Sequence, residues 1–453
     1  MSSTIQNNTS LLEFGKKHVT AGLARSVDGV MTKGAGSYVE FGDGKVFLDF
    51  TTGIGVTGLG AYTMFPRNDS SHVEHFEGHC HPKCSIAFTE PYLQLIERLL
   101  PMMPDPSLDS FFFWNSGSEA IEAAMKMARL FTGKQNIIAM QGAYHGRTFG
   151  AMAVTKSKTI YSEGFHPLMP GVFSIPYPYW HQLSLPPTTE QSEITAQCLN
   201  QLHLVLSQQT APRDTAAILI EPLLGEGGYV PAPAEFLKGV REICDKEGIL
   251  LIIDEVQSGF ARTGKNFSIE HAGVRPDIMT IAKGLANGFP LSGVVSRKEL
   301  TDKLKPGSMG GTYAGNAVAC AAAVAVADVL KEEKILENVN ARSKELFAGL
   351  NELRSKPSVS PVILDVRGQG LMVAVEFASP TGTSPYDSFV KPSAPARLSS
   401  RIAKRCQEKG LLILTTSVYE VIRFIPPLNI TQEDLNKGIN IFSEAVEEVV
   451  REG

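Results

Sequence analysis

The sequence predicts an α/β protein, with an open, mostly parallel sheet covered by helices and a smaller α+β region after it. Three observations lead there. Short apolar runs without alternation suit strands buried on both faces. Amphipathic stretches lie between them. The spacing of strand, helix and strand, about thirty residues, is the rhythm of βαβ units.

The runs are Phe111 to Trp114, Asn136 to Met140, Ala216 to Ile220, Ile249 to Ile253 and Asp277 to Ile281. Between them, Glu119 to Leu130 places Ile121, Ala124, Met125 and Ala128 on one helical face. Phe236 to Lys246 does the same with Leu237, Val240, Ile243 and Cys244. Further on, Thr312 to Glu333 reads as a long Ala-rich helix and Ile335 to Leu353 as another. Val366 to Phe377 and Leu411 to Ile425 read as strands, with a helix at Ala396 to Lys409 between them. Thr381 to Pro395, rich in Ser, Pro and Thr, reads as a surface loop. A chain of 453 residues suggests two or three domains. The expected division is an N-terminal segment, 1–58, joining the small domain; a large domain, 59–325; and a C-terminal small α+β domain, 326–453.

Composition removes whole classes. Hydrophobic residues make up 43% and charged residues 20%, which excludes a largely disordered chain. The formal charge of -5 gives no pull toward nucleic acid or an anionic membrane. No apolar run approaches the roughly 20 residues of a membrane span. Met1 to Thr20 lacks a secretory pattern, and Glu13 with only Lys16 and Lys17 makes a poor mitochondrial presequence. The six cysteines, Cys80, Cys84, Cys198, Cys244, Cys320 and Cys406, read as reduced thiols, and a cytoplasmic setting is expected.

In open α/β sheets ligands bind beyond the carboxyl ends of the strands. The apolar runs end in Glu221, in Asp254-Glu255, in Lys283-Gly284 and in Asn115-Ser116-Gly117-Ser118. A Lys at a buried strand end loses its charge by desolvation and can form a Schiff base with an aldehyde. An Asp can hold a pyridine nitrogen protonated, making the ring an electron sink. A Ser-Gly-Ser turn at a helix N-terminus offers N–H groups and hydroxyls to a phosphate. Aldehyde, pyridine and phosphate are the three handles of pyridoxal 5'-phosphate. Each residue alone could be a helix cap or a surface charge; together they point to that cofactor.

At this point the sequence resembles the class III (omega-amino-acid) aminotransferases. The resemblance rests on Asn115 to Ala120, Tyr144-His145-Gly146-Arg147-Thr148, Glu221-Pro222 with Gly225-Glu226-Gly227-Gly228, Asp254 to Gly259, Ala282-Lys283-Gly284 and Gly310-Gly311-Thr312-Tyr313. It covers nearly the whole chain from about Gly22 and looks nearest to the 4-aminobutyrate group. It implies a fold-type I pyridoxal-phosphate transferase. Lys283 would bind the cofactor and move the substrate proton, and Asp254 would pair with the ring nitrogen. Gln257 would bond the ring hydroxyl, with Val256 and Tyr144 on the two ring faces. Gly117 and Ser118 would bind the phosphate. Thr312 would reach the phosphate of a neighbouring subunit, implying a homodimer with shared sites; a helix N-cap is the plain alternative for it. Arg147 would bind the remote carboxylate and Arg423 the α-carboxylate. Glu226 would cover Arg423 when the donor lacks an α-carboxylate. Both arginines could instead be structural ion pairs. Ile54 would line the pocket and Glu221 would buttress it, or each could be plain core.

The implied reaction is ping-pong transfer of the amine of an omega-amino acid, 4-aminobutyrate first, to 2-oxoglutarate. Acetylornithine or ornithine aminotransferase is the alternative donor reading, and decarboxylation of a dialkylated amino acid is a more distant one. An inert cofactor-binding paralogue is the non-enzyme alternative.

Two patterns read as decoys. Gly53-Ile54-Gly55-Val56-Thr57-Gly58 matches a dinucleotide fingerprint, but the residues that follow are poor helix formers. His72, His75, His79, Cys80, His81 and Cys84 crowd together without the spacing of a zinc site. Gly78-His79-Cys80-His81-Pro82 matches a turn that the family carries without metal. Ala61 to Gly78 departs from the family, and a helix expected after Lys83 is missing. The stretch reads as translated intron beside a lost coding segment, or as a true splice variant. Either would leave this chain poorly active.

Overall fold

The computed structural model describes residues 4–20, 22–61, 87–380, 391 and 393–453. A seven-stranded sheet organises the middle of the chain. Its order is Leu108–Trp114, Ser292–Arg297, Ile278–Ile281, Leu250–Asp254, Thr215–Ile220, Asn136–Met140 and Val172–Ile175. Ser292–Arg297 lies antiparallel to both neighbours, while the other strands run parallel to one another. The sheet is therefore mostly parallel, and the five apolar runs are all strands within it.

Burial on both faces explains the unalternating runs. In Thr215–Ile220 every residue is buried. Ala217 and Leu219 point to one face, with Ile137, Ala139 and Ile252, and pack on the helix Gly117–Thr132. Ile218 and Ile220 point to the other, with Ile138, Leu251 and Ile253. The helices Gln191–Gln208 and Ala234–Glu247 cover that face through Cys198, Leu202, Phe236 and Val240. Each fully buried aliphatic side chain contributes about 1.5–3 kcal/mol relative to exposure.

A second sheet, antiparallel throughout, has the order Ile363–Gln369, Met372–Phe377, Val421–Phe424 and Leu414–Thr416. A third joins Met31–Ala35, Tyr38–Phe41 and Val46–Asp49 to Leu411–Leu412, so the N-terminal segment pairs with the C-terminal region.

Three readings need correction. The Ala-rich helix spans Ala317–Glu332, not Thr312 onward. Gly315 at φ 65° breaks the chain, and Asn316 caps the helix, its Oδ1 accepting from the Val318 and Ala319 amides at 3.0 and 3.2 Å. Val366 to Phe377 is a hairpin. It turns at Gly370, where a Cβ would lie 2.4 Å from the Thr263 carbonyl carbon. Leu411 to Ile425 is three short strands, broken at Ser417 with φ 63°. The strands Val172–Ile175 and Ser292–Arg297 escaped the apolar-run criterion. The polar cluster at 72–84 and nearly all of the departing stretch lie outside the described residues, as does most of Thr381 to Pro395.

Candidate active site

The parallel strands deliver their carboxyl ends to one edge, and a cavity of about 290 Å³ opens there. Asp254 ends its strand and is 4% exposed. Its Oδ1 accepts from the Val256 amide at 3.0 Å and from the Thr280 hydroxyl at 3.1 Å. Its Oδ2 lies 2.7 Å from His145 Nδ1. Three partners fix this carboxylate at the cavity floor.

Lys283 follows Ile278–Ile281 and lines the same cavity. Burial pushes its amine below the usual lysine value, against the opposing pull of Glu226 and Asp254. Its φ of 45° is left-handed, a conformation that costs about 1–3 kcal/mol and is characteristic of functional sites.

After Leu108–Trp114 the chain enters the helix Gly117–Thr132. Ser116 caps it, its hydroxyl accepting from the Glu119 amide at 3.3 Å. Gly117 and Ser118 lie in the first turn of this helix, whose amides have no partner within the helix, and they line the cavity wall, where the helix N-terminus favours an anion. Gly117 must be small, since a Cβ would meet Val256 at 3.0 Å.

Glu221 accepts from the Tyr144 and Gly225 amides, each at 2.9 Å, and ties two loops together. Burial raises its carboxyl to about 7. Glu226 forms an ion pair with Arg423, which is 3% exposed. Burial alone would raise Glu226, but Arg423 outweighs it and the net shift is downward. Burial would lower Arg423, yet Glu226 and Tyr229 carry it upward. Both members are therefore ionised.

Of the residues singled out in the sequence, Gly117, Ser118, Tyr144, Glu221, Glu226, Asp254, Val256, Gln257 and Lys283 line the cavity. Arg423 stands behind Glu226. Arg147 sits beside the site, its Nε donating to the Tyr144 hydroxyl at 3.1 Å and its guanidinium 4.6 Å from the Tyr161 ring. Ile54 is 39% exposed with φ 65° and does not line the cavity, although Val56 does. Thr312 is exposed, away from the cavity of its own chain, and does not cap the Ala-rich helix.

Sequence reasoning gave no role to His145, Asn115, Val56 or Phe289, all of which line the cavity. His145 lay inside the Tyr-His-Gly-Arg-Thr motif, the one signal that could have found it. The stretch Gly53 to Gly58 opens no long helix. Gly53 at φ 61° and Gly55 at φ 74° make a tight turn, and a Cβ on Gly55 would strike Ile425 at 2.6 Å.

The family model described as aminotransferase class-III matches residues 23–446. The chain belongs to the class III aminotransferases. It is 37% identical over 445 residues to 5-aminovalerate aminotransferase DavT of Pseudomonas aeruginosa, covering 98% of this chain and 99% of that one. It is 37% identical over 408 residues to 4-aminobutyrate aminotransferase GabT of Escherichia coli, covering 90% of each. Acetylornithine aminotransferase of Clostridium acetobutylicum is 35% identical over 425 residues, with 91% of this chain and 95% of that one covered. Among solved structures, a transaminase from a Virgibacillus marine bacterium superposes with a TM-score of 0.86 at 26% identity, covering 98% and 99% of the two chains. Ornithine aminotransferase of Toxoplasma gondii gives 0.82 at 27% identity, covering 98% and 95%. The fold is that of class III transaminases, the fold-type I pyridoxal-phosphate enzymes.

A class III aminotransferase depends on pyridoxal phosphate, and the residues of this site fit that group. The Gly117 and Ser118 amides at the helix N-terminus suit a phosphate. Gln257 Oε1 is buried without a protein partner, leaving a polar group at the wall for a ring substituent. A lysine amine with lowered basicity faces the same space. Among the described residues no helix is long and apolar enough to cross a membrane.

Proposed function

We propose that this transaminase moves the amine of an omega-amino acid, 4-aminobutyrate first among them, to 2-oxoglutarate by a ping-pong mechanism. The products are the semialdehyde and glutamate. The observation that carries the reading is the buried Arg423–Glu226 pair at the cavity wall. A donor with no α-carboxylate meets an arginine already neutralised. A dicarboxylate displaces Glu226 and takes its place on Arg423. One pocket then serves both half-reactions.

Pyridoxal phosphate, when bound, supplies an aldehyde that accepts amines and a protonated ring that draws electrons from the adjacent carbon. Gly117 and Ser118 would hold its phosphate, and Thr312 of a second subunit would complete that grip. Asp254, kept in place by His145, Thr280 and the Val256 amide, would keep the ring nitrogen protonated. Gln257 would take the ring hydroxyl, and Val256 and Tyr144 would bracket the ring. Lys283 Nζ would take the proton from the substrate carbon that bears the amine and pass it to the former aldehyde carbon of the cofactor, a role suited to a lowered amine pKa. Arg147, steadied by Tyr144 and Tyr161, binds the remote carboxylate.

Shared sites mean a homodimer. Exposed Phe149, Ile160, Phe165 and Tyr313, at 51%, 69%, 59% and 63%, support a covered surface. Buried Cys198, Cys244 and Cys406 are free thiols, which suits a reducing cytoplasm. The acetylornithine aminotransferase relative and the ornithine aminotransferase neighbour favour a second donor class. Steady-state rates with 4-aminobutyrate, 5-aminovalerate, ornithine and acetylornithine, each against 2-oxoglutarate, test the choice. Dominant turnover of ornithine or acetylornithine overturns the first reading.

A further inference from the structure

The gate carboxylate Glu226 belongs to a turn, Gly225 to Tyr229, whose backbone is held from several sides. The Gly225 amide donates to Glu221 at 2.9 Å. The Gly228 and Tyr229 amides both return to the Gly225 carbonyl, at 3.1 and 3.3 Å. The Thr416 hydroxyl donates to the Glu226 carbonyl at 3.3 Å. The strongest grip comes from Arg367. Its Nε and Nη2 both donate to the Gly228 carbonyl, at 3.1 and 2.7 Å.

Arg367 is itself immobilised. It is ion-paired with Glu376, which is 1% exposed, and its Nη2 donates to the Tyr179 hydroxyl at 3.2 Å. Tyr179 donates to Glu376 Oε2 at 2.8 Å, and His181 Nε2 lies 2.5 Å from Oε1. Burial would raise the Glu376 carboxyl, but Arg367, His181 and Tyr179 bring it down to about 2. The His181 ring stacks on Tyr419 at 3.7 Å and 9°. A buried network in which Glu376 is held by Arg367, Tyr179 and His181 at once is rigid.

Register ties this network to the gate. Arg367 pairs with Ala374 across one strand boundary, and Ala374 pairs with Arg423 across the next. Cross-strand partners share a face, so the two arginines project from the same side of one sheet, two strands or about 10 Å apart. One holds the backbone of the turn; the other holds its side chain.

We propose that Arg367 is a positioning residue for the Glu226 gate, fixing the turn against Arg423 so that the gate opens by side-chain rotation alone. This rests on the gate reading given under Proposed function and deepens it. Arg367 thereby sets the preference between donors that lack an α-carboxylate and those that carry one.

The test uses the holoenzyme and two readouts. Single-turnover half-reactions with 4-aminobutyrate and with L-glutamate give a ratio of kcat/KM values. Calorimetry with glutarate, an unreactive dicarboxylate, reports how hard Glu226 competes for Arg423. Arg367→Lys keeps a cation beside Glu376 but loses the two-donor grip on the Gly228 carbonyl. The expected result is a fall of about tenfold in the 4-aminobutyrate to glutamate ratio. Glutarate should bind more tightly, because a loosened gate competes less. A merely structural role predicts the reverse: both half-reactions slow together and glutarate binds more weakly, which overturns the proposal. Thr416→Val removes a second anchor and carries the test if Arg367→Lys fails to fold; it should shift both readouts in the same directions. Glu226→Ala separates the two ideas. If it leaves the ratio and glutarate binding as they are, the gate reading fails and this proposal with it. If Glu226→Ala shifts both and neither anchor variant does, the gate stands and the positioning role is refuted.

Discussion

Glu255, next to Asp254, is fully buried, with Oε2 accepting from the Ser258 hydroxyl at 2.5 Å and Oε1 from the Ile269 amide at 2.8 Å. Burial raises its carboxyl from 4.5 to about 7. A raised folded-state pKa favours folding below the unfolded value and loses that contribution as pH rises through the folded one. The window is therefore pH 4.5 to 7. The full shift corresponds to about 3 kcal/mol, most of it lost between pH 5 and 8. Unfolding entropy for a chain of this length is about 1 kcal/mol per degree, so the loss lowers Tm by about 2–3 °C. Glu255→Gln imitates the protonated form: its carbonyl still accepts from the Ile269 amide and its NH2 donates to the Ser258 hydroxyl. Calorimetric melting at pH 5, 6, 7 and 8 checks this. The two proteins should melt together at pH 5, and the variant should melt about 2–3 °C higher at pH 8. Parallel curves, with the same offset at every pH, would refute the reasoning.

Three further outcomes are expected. Lys283→Ala should lower turnover by at least about 10²–10⁴-fold from lost proton transfer alone, read by single-turnover absorbance; near-normal rates would remove Lys283 from the chemistry. His145→Phe deprives Asp254 of its shortest partner and should weaken pyridoxal phosphate binding about 10–100-fold in equilibrium titration, with Tm before cofactor addition little changed. Gly370→Ala forces a Cβ to within 2.4 Å of backbone at φ 58°, and should destabilise the chain by about 3 kcal/mol in urea titration.

Much of the cavity could be read from residue order because strand direction does the assembling. Once runs such as Ala216 to Ile220 and Ile249 to Ile253 are parallel neighbours, whatever follows them meets at one edge. Lys283, Asp254 and the Ser116 to Ser118 turn needed nothing more. His145 was harder, because it reaches Asp254 across 109 residues and no local pattern marks that contact. The Ala-rich helix was overextended because composition continues past the point where Gly315 and Asn316 stop it. Val366 to Phe377 looked like one strand because its turn is only Gly370 and Leu371 and its flanks share β-forming residues. Arg367 was invisible as a functional residue. Its alignment with Arg423 depends on two strand registers, which no spacing within the sequence encodes.

The most direct test of the central claim is the visible absorption spectrum of the purified chain with pyridoxal phosphate, before and after 4-aminobutyrate and then 2-oxoglutarate. A band that forms, bleaches with the amine and returns with the oxo acid is the predicted result. A band that ignores 4-aminobutyrate and 5-aminovalerate, or no band at all, would contradict an omega-amino-acid transaminase working through Lys283.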